Sequence, residues 1–160
     1  MIQQKLKFSS RPNPIYAYRV NLVREKQIGY GGQTSNSESA AEIARKTIVE
    51  IGQSDRENLV MIALNTKNEI NGINIISQGG LSSAPVYLRE VFKPAILMNA
   101  AAVVISHNHP SGDINPSQED KAITKILVKG GNLLGIIVHD HIIVNIDNER
   151  YFSFCDNRLM

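Results

Sequence analysis

An apolar strand pattern that opens directly onto two histidines constrains this chain more than any other feature. Ala102 to Ser106 is a buried run of strand length, and it delivers the chain to His107-Asn108-His109-Pro110. Two imidazoles at i and i+2 in extended chain point to the same side, so both rings can converge on one ion. Ser117-x-x-Asp120 then has the spacing of a helix N-terminal cap, with the acid favoured by the helix dipole. Residues one helical turn apart are neighbours on the surface, so the cap that orders the turn can also aim the Asp120 carboxylate. His107, His109 and Asp120 are thus three ligands of the types zinc prefers, with a fourth position left for water. A closed structural site would need four protein ligands, usually with thiolates, and Cys155 is the one cysteine present. The pattern predicts a single Zn2+ in an open, hydrolytic centre.

The remaining sequence sets the frame around that centre. A chain of 160 residues with 42% hydrophobic and 20% charged content fits one globular domain. No segment approaches the roughly 18 uninterrupted apolar residues of a membrane span, and Met1-Ile2-Gln3-Gln4-Lys5-Leu6-Lys7 lacks the apolar core of a signal peptide. A cytoplasmic location is the expectation, and the lone cysteine agrees with a reducing compartment. The formal charge of +2 permits contact with DNA without arguing for it. Lys5, Lys7, Arg24 and Lys26 read as a solvated basic face.

Strand-like and helix-like patterns alternate along the chain. Residues 1–14, with Pro12 and Pro14, read as an extended lead-in, and residues 15–160 as one domain. Tyr16, Tyr18, Val20 and Leu22 show the two-residue period of a strand. Gly29, Gly31 and Gly32 lie in a loop before Ser39, which pairs with Glu42 as a capping box. The helix it opens carries Ala40, Ile43, Ala44, Ile48 and Ile51 on one face and stops at Gly52. Leu59 to Leu64 suits a central strand, with a turn at residues 65–68 leading to a second strand from Ile70 to Ser77. Gly79 and Gly80 end it. Pro85 introduces a helical stretch through Asn99 that Pro94 should kink or divide. A helix marked by Ala122, Ile123, Ile126 and Leu127 should end at Gly130-Gly131. Strands at Ile136 to Val138, Ile142 to Ile146 and Tyr151 to Phe154 complete an α/β (α+β) domain, a mixed sheet covered by helices. The histidine segment then lies at a strand's carboxyl end, where open sheets commonly bind ligands.

A hydrolytic zinc site also needs a proton carrier that is not a ligand. By position, Glu57 stands at the head of the Leu59 to Leu64 strand, and Glu90 at a helix start is its rival. His139 and His141 lie two apart on a strand and so should share a face, opposite to Asp140. No third ligand accompanies them, so His141 is read as structural and His139 as exposed.

The motif His107-x-His109-Pro110 with Ser117-x-x-Asp120 resembles the JAMM metalloprotease signature. The wider wording, Arg89-Glu90-Val91-Phe92-Lys93-Pro94-Ala95, His107 to Asp113, and Asp140-His141-Ile142-Ile143-Val144, is similar to that of the RadC family, over about Tyr18 to Phe154. The resemblance implies an MPN fold, related in architecture to cytidine deaminases. Deaminase chemistry is disfavoured by the chain itself, which lacks the Pro-Cys-x-x-Cys pair. The resemblance also implies that Glu57, ahead of an apolar strand hairpin-linked to another, is the catalytic general base and acid. Ser117 would hydrogen-bond a developing oxyanion, or serve as a cap alone.

Two departures from the family accompany this. Nothing before Tyr18 is long enough for the amino-terminal helix-hairpin-helix region, a DNA-binding element, that RadC proteins commonly carry. Asn145-Ile146-Asp147-Asn148-Glu149 replaces a tighter glycine-containing turn. Two functions stay open. One is a zinc-dependent metallopeptidase or isopeptidase-type hydrolase acting on a peptide or protein. The other is a DNA-repair-associated or mobile-element accessory module with little or no catalysis.

Overall fold

The computed structural model of the chain describes residues 16–29, 34–79 and 87–160. The lead-in at 1–14, Gly31, Gly32, Gly80 and Pro85 lie outside them. One five-stranded mixed sheet organises the described residues. Its strands are β1 (Asn58–Leu64), β2 (Ile70–Gln78), β3 (Ala102–Asn108), β4 (Ile137–Val144) and β5 (Tyr151–Ser153), in the spatial order β2-β1-β3-β4-β5. β1 pairs antiparallel with β2 and β3, β3 runs parallel to β4, and β5 is antiparallel to β4. Every residue of β1 and β3 is buried, as continuous apolar runs demand of central strands covered on both faces.

Helix α1 (Ser37–Ile51) covers one face and joins Ala40, Ile43, Ala44 and Ile48 to Val60, Ile62, Val104 and Ile142. Helices α2 (Leu88–Leu97) and α3 (Gln118–Leu134) cover the other, where Val91, Phe92 and Leu127 pack on Leu59, Met61, Val103 and Ile105. No helix among the described residues is long and apolar enough to cross a membrane.

Several expected elements differ. Residues 16–29 form no strand: Tyr16, Tyr18, Val20 and Leu22 are exposed and no sheet edge pairs with them. The segment is instead tied to α1 through Lys26 Nζ, which donates to the Glu50 carbonyl (3.1 Å), and Lys46 Nζ, which donates to the Gly29 carbonyl. Helix α1 begins two residues before Ser39. Asn36 is its cap, with Oδ1 accepting from the Ser39 N–H (2.8 Å), and Ser39 supplies the reciprocal half of the box in place of Glu42. Pro94 sits inside α2 without dividing it.

Helix α3 runs through Gly130-Gly131 and ends at Gly135, which adopts a left-handed conformation (φ 71°). The two internal glycines serve close packing. A Cβ on Gly131 would stand 2.4 Å from the Ile136 carbonyl oxygen, and one on Gly130 2.9 Å from Leu88 Cδ1. The two strands expected at 136–138 and 142–146 are one, β4. A register shift opposite Val103/Val104 places Val138 opposite Val103 and Asp140 opposite Val104. That irregularity separates His139 from His141. His139 is exposed beside Asn68, whereas His141 is fully buried on the α3 side.

Candidate metal centre

β3 ends inside the site rather than before it. His107 is still a strand residue, paired with Leu59 of β1 and Ile143 of β4, and it is fully buried. Its side chain falls on the α2/α3 face, and α3 brings Asp120 to meet it. His107 Nε2 lies 3.3 Å from Asp120 Oδ1 and 3.1 Å from His109 Nε2, while His109 Nε2 lies 3.6 Å from Asp120 Oδ2. The carboxylate of Glu57 joins them, so that one ligand atom from each of the four residues lies within 4.8 Å of all the others. Glu90 does not join this group. It is exposed at the start of α2, in ion pairs with Lys93 (2.9 Å) and Arg89 (3.5 Å), and the Lys93 hydrogen bond lowers its pKa.

Asp120 is set by the cap that the sequence announces. Its Oδ2 accepts from the Ser117 backbone N–H (2.8 Å) and hydroxyl (2.7 Å), and the Ser117 Oγ accepts from the Asp120 N–H (3.0 Å). The hydroxyl's one proton is thus directed at Asp120. Burial acts to raise the Asp120 pKa, but the adjoining His107 and His109 rings outweigh it and, with the Ser117 hydroxyl, hold the carboxyl well below the usual carboxylate range. His109 is shifted upward, chiefly by the neighbouring Asp120 carboxylate and against the effect of burial, with further support from the Asp113 carbonyl and the charge of Glu57.

The donor chemistry tests whether a cation fits. His109 Nδ1 lies 2.7 Å from the backbone carbonyl of Asp113. A carbonyl only accepts, so Nδ1 carries a proton, and Nε2, which turns toward His107 and Asp120, holds a second proton when the ring is charged and offers a lone pair when a metal ion takes that proton's place. Lone pairs and a carboxylate converging at these separations call for a proton or a metal ion between them. Tetrahedral zinc with bonds of about 2.0–2.1 Å has ligand-to-ligand edges of roughly 3.3 Å. His107 Nε2 stands 3.1 Å from His109 Nε2 and 3.3 Å from Asp120 Oδ1, both close to that edge, so the residues fit zinc.

Asn108, the spacer between the histidines, carries a role that the sequence pattern does not reveal. Its Oδ1 accepts from the Asn58 N–H (2.9 Å) and Asn58 Nδ2 (3.0 Å), and its Nδ2 donates to the Arg56 carbonyl (2.9 Å). Those bonds grip the residues on either side of Glu57 and hold it against the end of β3. Alternation along an extended chain was the available signal, since a side chain between two candidate ligands must point away from the ion that they would share. The contacts of His141 and Thr124 behind His107 likewise escape motif reading, because they depend on the parallel pairing of β3 with β4 and on α3 packing against β4.

A family model described as a RadC-like JAB domain matches residues 34–159. A UPF0758 protein of Rubrobacter xylanophilus is 48% identical over 110 residues, covering 69% of this chain and 47% of its own length. UPF0758 proteins of Moorella thermoacetica and Chloroflexus aurantiacus are 44% and 45% identical, covering 74% and 76% of the chain and 51% and 52% of theirs. The chain therefore spans about half the length of these curated relatives.

Proposed function

The chain belongs to the RadC-like JAB domain family, and on that premise we propose that it is a zinc-dependent hydrolase of amide bonds, of the metallopeptidase or isopeptidase kind, acting on a peptide or protein in the cytoplasm. The convergence of Glu57 with His107, His109 and Asp120 at the end of β3 carries this reading. His107, His109 and Asp120 would hold the ion. Zinc supplies Lewis acidity and brings the pKa of water down to about 7. Glu57 accepts the proton of the attacking water and returns it to the leaving amine, which requires a carboxylate close to the ligands and outside their set. Ser117 turns its hydroxyl from Asp120 to the developing oxyanion, and such a donor contributes about 2.7–4 kcal/mol to lowering the barrier. A DNA-associated module without catalysis gives Glu57 no task.

The test is Glu57→Gln, which keeps size and removes the ability to accept a proton. Wild type should hold zinc by elemental analysis and cut members of a proteome-derived peptide pool. The variant should keep its zinc and lose on the order of 10²–10⁴-fold in rate. Loss of zinc by the variant would make Glu57 a ligand. A wild type that holds zinc, cuts nothing and binds duplex DNA far more tightly than the roughly 10⁻⁴–10⁻⁶ M of non-specific contact would favour the accessory module.

A further inference from the structure

We propose that Thr124 and His141 are positioning residues that fix the tautomer of His107 and so keep its Nε2 lone pair aimed at the metal position. Hydrogen-bond donation has a forced direction along this chain of groups. Thr124 Oγ1 lies 2.6 Å from the backbone carbonyl oxygen of Asp120, one turn earlier in α3, and 2.6 Å from His141 Nδ1. The hydroxyl has one proton and the carbonyl can only accept, so the proton points at Asp120. Toward His141 the oxygen is therefore an acceptor, and His141 Nδ1 must carry a proton.

The second nitrogen of His141 follows from its surroundings. The ring is fully buried and stacked on Phe154, with centroids 4.9 Å apart and planes 12° from parallel. A charged imidazolium there would be desolvated without a counter-ion in contact, so the ring is neutral and its Nε2 is bare. That Nε2 lies 2.9 Å from His107 Nδ1. A bare nitrogen accepts, so His107 donates from Nδ1, and its own Nε2 carries the lone pair that faces His109 and Asp120. Were His141 flipped to the other tautomer, the proton of His107 would move to Nε2, where a metal must bind. The helix that supplies Asp120 as a ligand thus also sets, through its next turn, the protonation of the ligand opposite.

The consequence for metal affinity rests on the zinc reading, but the first measurement does not. Long-range ¹H–¹⁵N correlation spectra of the metal-free wild-type chain read ring tautomers directly, and should show protonated Nδ1 on His107 and His141 and bare Nε2 on His141. A proton on His141 Nε2 would overturn the proposal. The second measurement is zinc affinity by competition with a chromogenic chelator for Thr124→Val and Thr124→Ser. Valine keeps the shape and loses the acceptor, so affinity should fall about 10–100-fold, the usual effect of removing a group that orients a ligand. Serine keeps the hydroxyl and should bind zinc within a few-fold of wild type, a small margin beside that loss. Equal affinity in Thr124→Val, or a serine variant as weak as the valine one, would reduce Thr124 to packing. A wild type with the expected tautomers and no zinc affinity would sink the hydrolase reading while leaving the relay intact.

Discussion

Asn108→Ala should separate the support of Glu57 from the binding of metal. The side chain is fully buried and makes three hydrogen bonds to the segment that carries Glu57. Their loss is unequal. Asn58 Nδ2 keeps the carbonyls of Gln53 and Arg56 (both 2.9 Å), and the Arg56 carbonyl keeps Asn58 Nδ2. The Asn58 backbone N–H has Asn108 Oδ1 as its partner and would be left buried and unsatisfied. An orphaned buried donor costs about 1–3 kcal/mol, and a neutral hydrogen bond whose other partner is re-satisfied contributes about 1 kcal/mol or less. The expected destabilisation is therefore about 2–3 kcal/mol.

Urea denaturation followed by far-UV circular dichroism would read this as a lower midpoint at unchanged slope. Thermal unfolding should shift down by about 4–12 °C, using about 2–4 °C per kcal/mol for a domain of this size. Zinc content should stay near wild type, because His107, His109 and Asp120 are placed by β3 and α3. A loss under about 0.5 kcal/mol, the scale of an ordinary surface change, would refute the assignment of Asn108 as the clamp on Glu57. Loss of zinc with little loss of stability would refute it from the other side.

Two more predictions test the scaffold. Burial raises the pKa of Asp140 despite hydrogen bonds from the Ser153 hydroxyl (2.6 Å) and the Cys155 N–H (3.0 Å). From about pH 4 up to its raised folded value the native state binds more protons than the unfolded chain, so this group's contribution to stability falls as pH rises. Asp140→Asn should therefore gain on wild type as pH climbs through that window, and a pH-independent difference in denaturation midpoints would contradict this. Gly131→Ala should destabilise the chain despite a helix-propensity gain of up to about 1 kcal/mol, because the backbone carbonyl of Ile136 cannot yield. Gly130→Ala meets the movable end of Leu88 and should cost less; equal thermal shifts for the two variants would contradict the packing argument.

The sheet was legible where burial decided the pattern. Leu59 to Leu64 and Ala102 to Ser106 are central strands because an unbroken apolar run has to be covered on both faces. Tyr16 to Leu22 has an equally clear alternation and forms no strand among the described residues, since a two-residue period states a local preference and supplies no neighbouring edge. Gly130-Gly131 reads as a helix stop by propensity, yet close approach to Leu88, Phe92 and Ile136 outweighs the propensity loss of about 1 kcal/mol per glycine. The shared face expected for His139 and His141 failed for a different reason. A single register shift in β4 reverses the alternation, and one residue of slip is invisible in composition or period.

The grouping of the candidate ligands was more legible than the fold around it because a cap and a ligand would make the same demand on Asp120. A carboxylate offers about four lone-pair directions. In α3 the Ser117 N–H and hydroxyl occupy the Oδ2 side, while Oδ1 faces His107 at 3.3 Å. The capping box thus fixes the rotamer and leaves one oxygen to the site. A candidate ligand placed by a helix start needs no separate support, so its spacing is written in four residues of sequence. Glu57 lies at the head of a strand rather than at a helix cap. Asn108 at the end of β3 holds the residues on either side of Glu57, and that dependence on tertiary pairing is why position in the chain left Glu57 level with Glu90 until the family resemblance favoured it.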